Sequence, residues 1–181
     1  MIQATTMEPS DPLDSQWISI HIRDHLDGHD ISIRDSLVSP GDFHSPENYT
    51  QTLTESVIDK MTIPAHGLGE VCARGRRGSE GWLDLFDGEK KICELHWDNR
   101  VGVWANDFEV LDGDKDYVVE CSGWSSTMGS PLGHVFVDVS RAKSKQEVKE
   151  KVQEIVDEAR VRGEMGDQVK VQVKGVGRSG V

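Results

Sequence analysis

The run Gln16-Trp17-Ile18-Ser19-Ile20-His21-Ile22-Arg23 decides the fold class. Ile18, Ile20 and Ile22 fall on one side of an extended chain, while Trp17, Ser19, His21 and Arg23 fall on the other. That is the period-2 signature of a half-buried strand. Working outward, the apolar patterning predicts further strands over 30–34, 57–63, 68–74, 82–86, 91–97, 107–111, 117–122 and 134–139, separated by Gly, Asp, Asn and Ser. Short strands with no helix between them predict an all-β chain built as a two-sheet antiparallel β-sandwich. Asp87-Gly88-Glu89 and Asp112-Gly113-Asp114 read as tight connections, because Gly tolerates the positive φ of hairpin turns.

Three segments are expected. Residues 1–15 carry Glu8, Pro9, Asp11, Pro12 and Asp14 with no apolar centre, and read as a disordered leader rather than a secretory signal. Residues 16–140 form the sandwich, and 141–181 an appended extension. In the extension, Ser144-Lys145-Gln146-Glu147 has capping-box spacing. Val148, Val152, Ile155, Val156 and Ala159 recur at helical spacing, so a helix is expected over about 144–162. The alternation of Val169, Val171 and Val173 predicts a short extended arm after it, before a disordered tail. A chain of 181 residues supports one sizeable core. Nothing in it approaches the roughly 18 consecutive apolar residues of a membrane helix. The expected location is cytoplasmic, or outside the cell by a route that needs no signal peptide, and peripheral at membranes.

The formal charge of −12 is unevenly spread. Residues 141–181 hold 10 basic and 7 acidic side chains, leaving 10 basic and 25 acidic in residues 1–140. A body this acidic is repelled by nucleic acid and by anionic lipid. Nucleic acid is therefore not an expected partner, and any membrane binding has to come from recognition of a head group.

No cofactor or metal is expected. Cys72, Cys93 and Cys121 match no zinc spacing and sit in strand-like runs, where a free thiol acts as a small apolar residue. His21, His25 and His29 recur every four residues, but across a strand and a turn, so their side chains are not expected to converge. Asp112, Asp114 and Asp116 begin like a calcium loop, yet Tyr117 and Gly123 stand where Gly and Glu would be needed. Asn48-Tyr49-Thr50 is a formal glycosylation sequon. No nucleophile elbow frames any Ser, His and Asp set, and no enzyme activity is expected.

The candidate binding residues are aromatic and basic. Trp17, Trp82, Trp97, Trp104 and Trp124 are five of eleven aromatic residues. Indole suits a bilayer interface because its body is apolar while its N–H remains a donor. Trp17 lies on the polar face of its strand, Trp104 and Trp124 fall in turn-like regions, and Trp97 either faces lipid or plugs the sandwich. Arg74, Arg76 and Arg77 are the one dense basic cluster in the acidic body. They suit phosphate recognition, or else they neutralise carboxylates such as Glu70 and Glu80.

These pieces together resemble the aegerolysins. The resemblance rests on the Gln16-Trp17 opening, Cys72 before the Gly78–Gly81 loop, Leu83-Asp84-Leu85, Trp97-Asp98, Asn106, and the Ser122-Gly123…Leu132-Gly133 ending. It covers roughly 16–139. It implies a β-sandwich that recognises sphingolipids, such as sphingomyelin with cholesterol or ceramide phosphoethanolamine. It also implies lysis that, in some relatives, needs a larger partner of the membrane-attack-complex/perforin class. Trp17 matches a tryptophan at the lipid site of such members, and Trp97-Asp98 matches the motif around it. Pro40, Val101 and Val103 stand where those members carry aromatic or charged residues, and the selectivity loop at 74–78 is basic here rather than acidic. The expected lipid site is therefore Trp17, Arg74, Arg76, Arg77, Trp97, Asp98, Trp104 and Trp124, with a sphingolipid-containing membrane as partner. The alternative is a β-sandwich interaction protein that has lost lipid binding and captures a protein through its C-terminal helix.

Overall fold

A computed structural model describes residues 16–100 and 105–143, together with Glu154 and Asp157. The strands are β1 (Gln16–Asp24), β2 (Ile31–Val38), β3 (Asp42–His44), β4 (Thr52–Leu53), β5 (Thr62–Ile63), β6 (Leu68–Gly75), β7 (Glu80–Asp87), β8 (Lys90–Asp98), β9 (Asp107–Leu111), β10 (Tyr117–Ser122) and β11 (Gly133–Arg141), with one short helix, α1 (Glu55–Ile58), before β5. One sheet has the order β10-β11-β1-β6-β3-β4 and the other β5-β2-β7-β8-β9. Among the described strands, every pairing is antiparallel except β1 with β11, which run parallel with Ile20 opposite Val135. Parallel neighbours need a long crossover, and here the crossover is almost the whole sandwich.

Alternation puts Ile18, Ile20 and Ile22 at 0% exposure against Val135, Val137 and Val139 of β11 and against Ile33, Leu83, Leu85 and Leu95 of the facing sheet. All three cysteines are free. Burial pushes the Cys93 thiol up to about 12 and the Cys121 thiol up to about 11, so neither supplies a thiolate near neutral pH.

Three expectations are corrected, and two short strands are added. The strand predicted over 57–63 is instead α1, which buries Ile58, followed by only two paired residues in β5. The strand predicted to end at residue 34 runs on to Val38 through a bulge between Arg34 and Leu37, where Asp35 takes φ 51°. The bulge breaks the period-2 pattern and puts Ser36 and Val38 inward. The Asp112-Gly113-Asp114 segment is no hairpin, since it carries the chain from β9 to β10 in the other sheet, and Asp112 rather than the glycine takes the positive φ. Strands β3 and β4 were not anticipated, being too short to show a period.

The sandwich lies in the first of two compact units, Met1–Arg141, and the second is Ala142–Val181. The expected leader lies outside the described residues. So do the C-terminal helix and arm, save for Glu154 and Asp157, which are helical.

Candidate functional site

Strand register gathers the expected residues at one end of the sandwich. Strands β1, β7, β9 and β11 begin there, and β6, β8 and β10 end there. Trp17 and Arg74 are direct cross-strand partners, and Asp42 of β3 faces Arg74 from its other side. Arg74 also lies 4.4 Å over the Tyr49 ring, a cation–π contact.

Past Arg74 the chain makes a tight loop. Gly78 takes φ +100°, and a Cβ there would strike the Arg100 backbone, so only glycine permits this approach. The loop leaves Arg76 and Arg77 exposed beside a shallow pocket of about 390 Å³, with Pro40, Asp42, Arg74 and Gly78 among its walls. The carboxylates proposed to neutralise the cluster are engaged elsewhere. Glu70 accepts from Ser19 Oγ at 2.6 Å, and Glu80 pairs with Arg100 at 2.8 Å.

Asp98 and Arg100 close the same end. The Arg100 guanidinium forks onto Asp98 at 2.9 and 2.5 Å. Burial alone would raise the Asp98 pKa, but this fork and the Arg100 backbone N–H outweigh it and hold the carboxyl below its ordinary range.

The tryptophans separate by environment. Trp97 is fully buried, donates Nε1–H to Ser79 Oγ at 2.9 Å, and meets Phe43 edge-on. Of the two readings of Trp97, the plug is therefore the one the structure shows, and it has no lipid-facing surface. Gly81 makes room for it, since a Cβ there would overlap the indole. Trp124 is half-buried against Phe108. Trp17 is half-buried on the outer sheet face, edge-on to His134 with ring centroids 5.2 Å apart. Trp104, like Val101 and Val103, lies outside the described residues.

The sequence marks Asn106 only as part of the family pattern and does not single out Arg100, and neither residue's role at this end is legible there. Asn106 Nδ2 lies 2.7–3.1 Å from the carbonyls of Ser125, Thr127 and Ser130. It thereby shapes the loop that presents Met128, 65% exposed, with Gly129 tied to Gln16 at 3.0 Å. Arg100 belongs to the site as well, and the Asp98-Asn99-Arg100 spacing was its only signal.

The histidine spacing brings no ligands together. His25 bonds Asp138, His29 bonds Asp87, and His21 meets His134. Ser19, although hydrogen-bonded to both His21 and Glu70, is 3% exposed and places the serine between base and acid, the wrong order for an activated nucleophile.

The aegerolysin family model matches residues 15–142. The chain belongs to the aegerolysin family. Terrelysin of Aspergillus terreus is 67% identical over 130 residues, covering 72% of this chain and 92% of its own length. Asp-hemolysin of Aspergillus fumigatus is 31% identical, covering 71% and 95%, and ostreolysin A6 of Pleurotus ostreatus 27%, covering 68% and 94%. The RahU protein, solved with a TRIS molecule, superposes with a TM-score of 0.66 at 20% identity, covering 72% of this chain and 98% of its own. IP-1A from Alcaligenes faecalis superposes at 0.63 and 24%, covering 72% and 94%. This aegerolysin shares their fold, and its hemolysin-named relatives place it in a lipid-binding, hemolytic family.

Proposed function

We propose that this aegerolysin is a peripheral membrane protein that recognises sphingolipid head groups with the loop end of its sandwich and acts as the receptor for a pore-forming partner. The observation that carries the reading is the pairing of Trp17 with Arg74 beside a pocket rimmed by Arg76 and Arg77. An indole at the interface and guanidinium groups at phosphate depth are complementary to a phosphosphingolipid. Met128 lies on the same end and adds an apolar tip.

The test is flotation with vesicles of phosphatidylcholine alone, of sphingomyelin with cholesterol, and of ceramide phosphoethanolamine. Binding to a sphingolipid vesicle but not to phosphatidylcholine alone is expected. Trp17→Ala and Arg76→Glu/Arg77→Glu should each weaken it by about tenfold or more. Because the body repels anionic lipid, binding should survive moderate salt. Absence of binding to both sphingolipid vesicles would sink the reading.

A further inference from the structure

The outer face of the six-stranded sheet carries a row of side chains that the lipid reading uses only at its Trp17 end. Alternation places Trp17, Ser19, His21 and Arg23 of β1 on this face, opposite Arg74, Cys72, Glu70 and Leu68 of β6. His134, Phe136 and Asp138 of β11 flank the other side, with Glu120 of β10 beyond Asp138.

His21 and His134 meet within this row. His21 Nε2 lies 2.9 Å from His134 Nδ1 and 2.9 Å from Ser19 Oγ, and Ser19 Oγ donates to Glu70 Oε1 at 2.6 Å. One proton arrangement satisfies all three contacts. Ser19 spends its only proton on Glu70, so its oxygen accepts from His21 Nε2–H, and the same N–H is shared with the bare Nδ1 of His134. The pair accommodates one added proton, because one of the two facing nitrogens stays bare and the hydrogen bond between the rings survives. A second added proton removes that acceptor and sets two cations against each other, so the rings must part. Each ring holds an aromatic neighbour: Phe136 stacks on His21 at 18° and 5.1 Å, and Trp17 rests edge-on against His134.

We infer that the His21–His134 pair is a proton-operated latch that holds Trp17 and Phe136 against the sheet at neutral pH and releases them in mild acid, strengthening membrane docking. The docking half rests on the lipid reading above, whereas the latch itself does not.

Charged and titratable groups surround the pair on every side. Burial lowers the His21 pKa, Glu70 raises it, and His134 and Arg23 lower it further, so His21 is neutral at pH 7. Cys72 stays a thiol, raised by burial and by Glu70. Asp138 is held by Arg23 at 3.1 Å and His25 at 2.7 Å. Arg74 borders the row at the Trp17 end, and Glu120 is exposed at its far edge.

The experiment has two arms on the full chain. In the first, without lipid, histidine ring NMR and tryptophan fluorescence are followed from about pH 8 to about pH 5, the Trp17 signal being taken as wild type minus Trp17→Phe. The latch requires His21 and His134 to titrate in two coupled steps, the second accompanied by a change in Trp17 emission. That change should vanish in His134→Asn or His134→Gln, which keep an acceptor but cannot take the proton. Independent one-step titrations in the wild type, or the same Trp17 change in the variants, overturn it. In the second arm, flotation with sphingomyelin–cholesterol vesicles should be about tenfold tighter near pH 5 than near pH 7.5 for the wild type, and equal for His134→Asn. Equal wild-type binding at both pH values, with coupled titration intact, overturns the link to docking. No binding at either pH to sphingomyelin–cholesterol or to ceramide phosphoethanolamine vesicles, with coupled titration intact, overturns the lipid reading and leaves the latch supported.

Discussion

Trp97 is sealed in the core with its N–H on Ser79, whereas Trp17 stands half-buried beside Arg74 and His134. The same substitution should therefore read differently at the two positions. Trp97→Ala opens a cavity and strands Ser79, and is expected to cost about 3–5 kcal/mol of stability. Trp17→Ala should cost about 1 kcal/mol in the same urea unfolding experiment while losing vesicle binding. Equal destabilisation by the two would contradict the burial assignment. Asp98 supplies a pH dependence at the same end. Its folded pKa lies below the ordinary value of 3.8, so the unfolded chain takes up a proton first as pH falls. The fork to Arg100 thus stabilises the fold fully above that value, and the contribution is lost as pH drops below it through the folded pKa. Asp98→Asn should flatten the acid limb of the stability curve below about pH 4 and leave the neutral limb parallel to that of the wild type.

At the scale of elements, the bulge in β2 shows how a local irregularity is stabilised from outside the strand. The bulge removes the Ser36 N–H from the ladder, and Asp59, just past α1, accepts it at 2.8 Å. Ser36 is 6% exposed, so the orphaned donor would find little water. Asp59→Ala should therefore cost about 1–3 kcal/mol in thermal or urea unfolding, and Asp59→Asn, which keeps the acceptor, should recover most of it. The same helical turn keeps the β-formers of 57–63 from pairing as one strand. Val57, Ile58 and Ile63 are β-formers in isolation, but Ile58 is buried from a helical turn and tertiary contact overrides propensity. The 123–132 loop makes the same point at the site. Its shape depends on Asn106, 19 to 24 residues away from the carbonyls it contacts.

At the scale of the whole sandwich, the described strands are at most 9 residues long, and their core-facing apolar side chains are buried. A membrane barrel needs closed strands of roughly 9–11 residues with a lipid-facing side, so this sandwich would have to be dismantled to span a bilayer. Dye release from sphingomyelin–cholesterol vesicles is therefore expected only after a perforin-like partner is added, and release by the purified chain alone would refute this. The sequence by itself determined the fold class, because period-2 alternation in β1 and in 68–74, 82–86 and 134–139 leaves one face of each strand nothing to do but pack. It also determined the family, and an acidity that disfavours bulk attraction to anionic lipid. Only the tertiary structure decided that Trp97 is a plug, since the sequence sets Trp17 opposite the isoleucines of its strand but leaves open which side of 91–97 faces the second sheet. It likewise decided that Trp17 meets Arg74, and that His21 meets His134 at a sequence separation of 113. Both contacts depend on strand register, which is set by long-range packing and leaves no local trace in the chain.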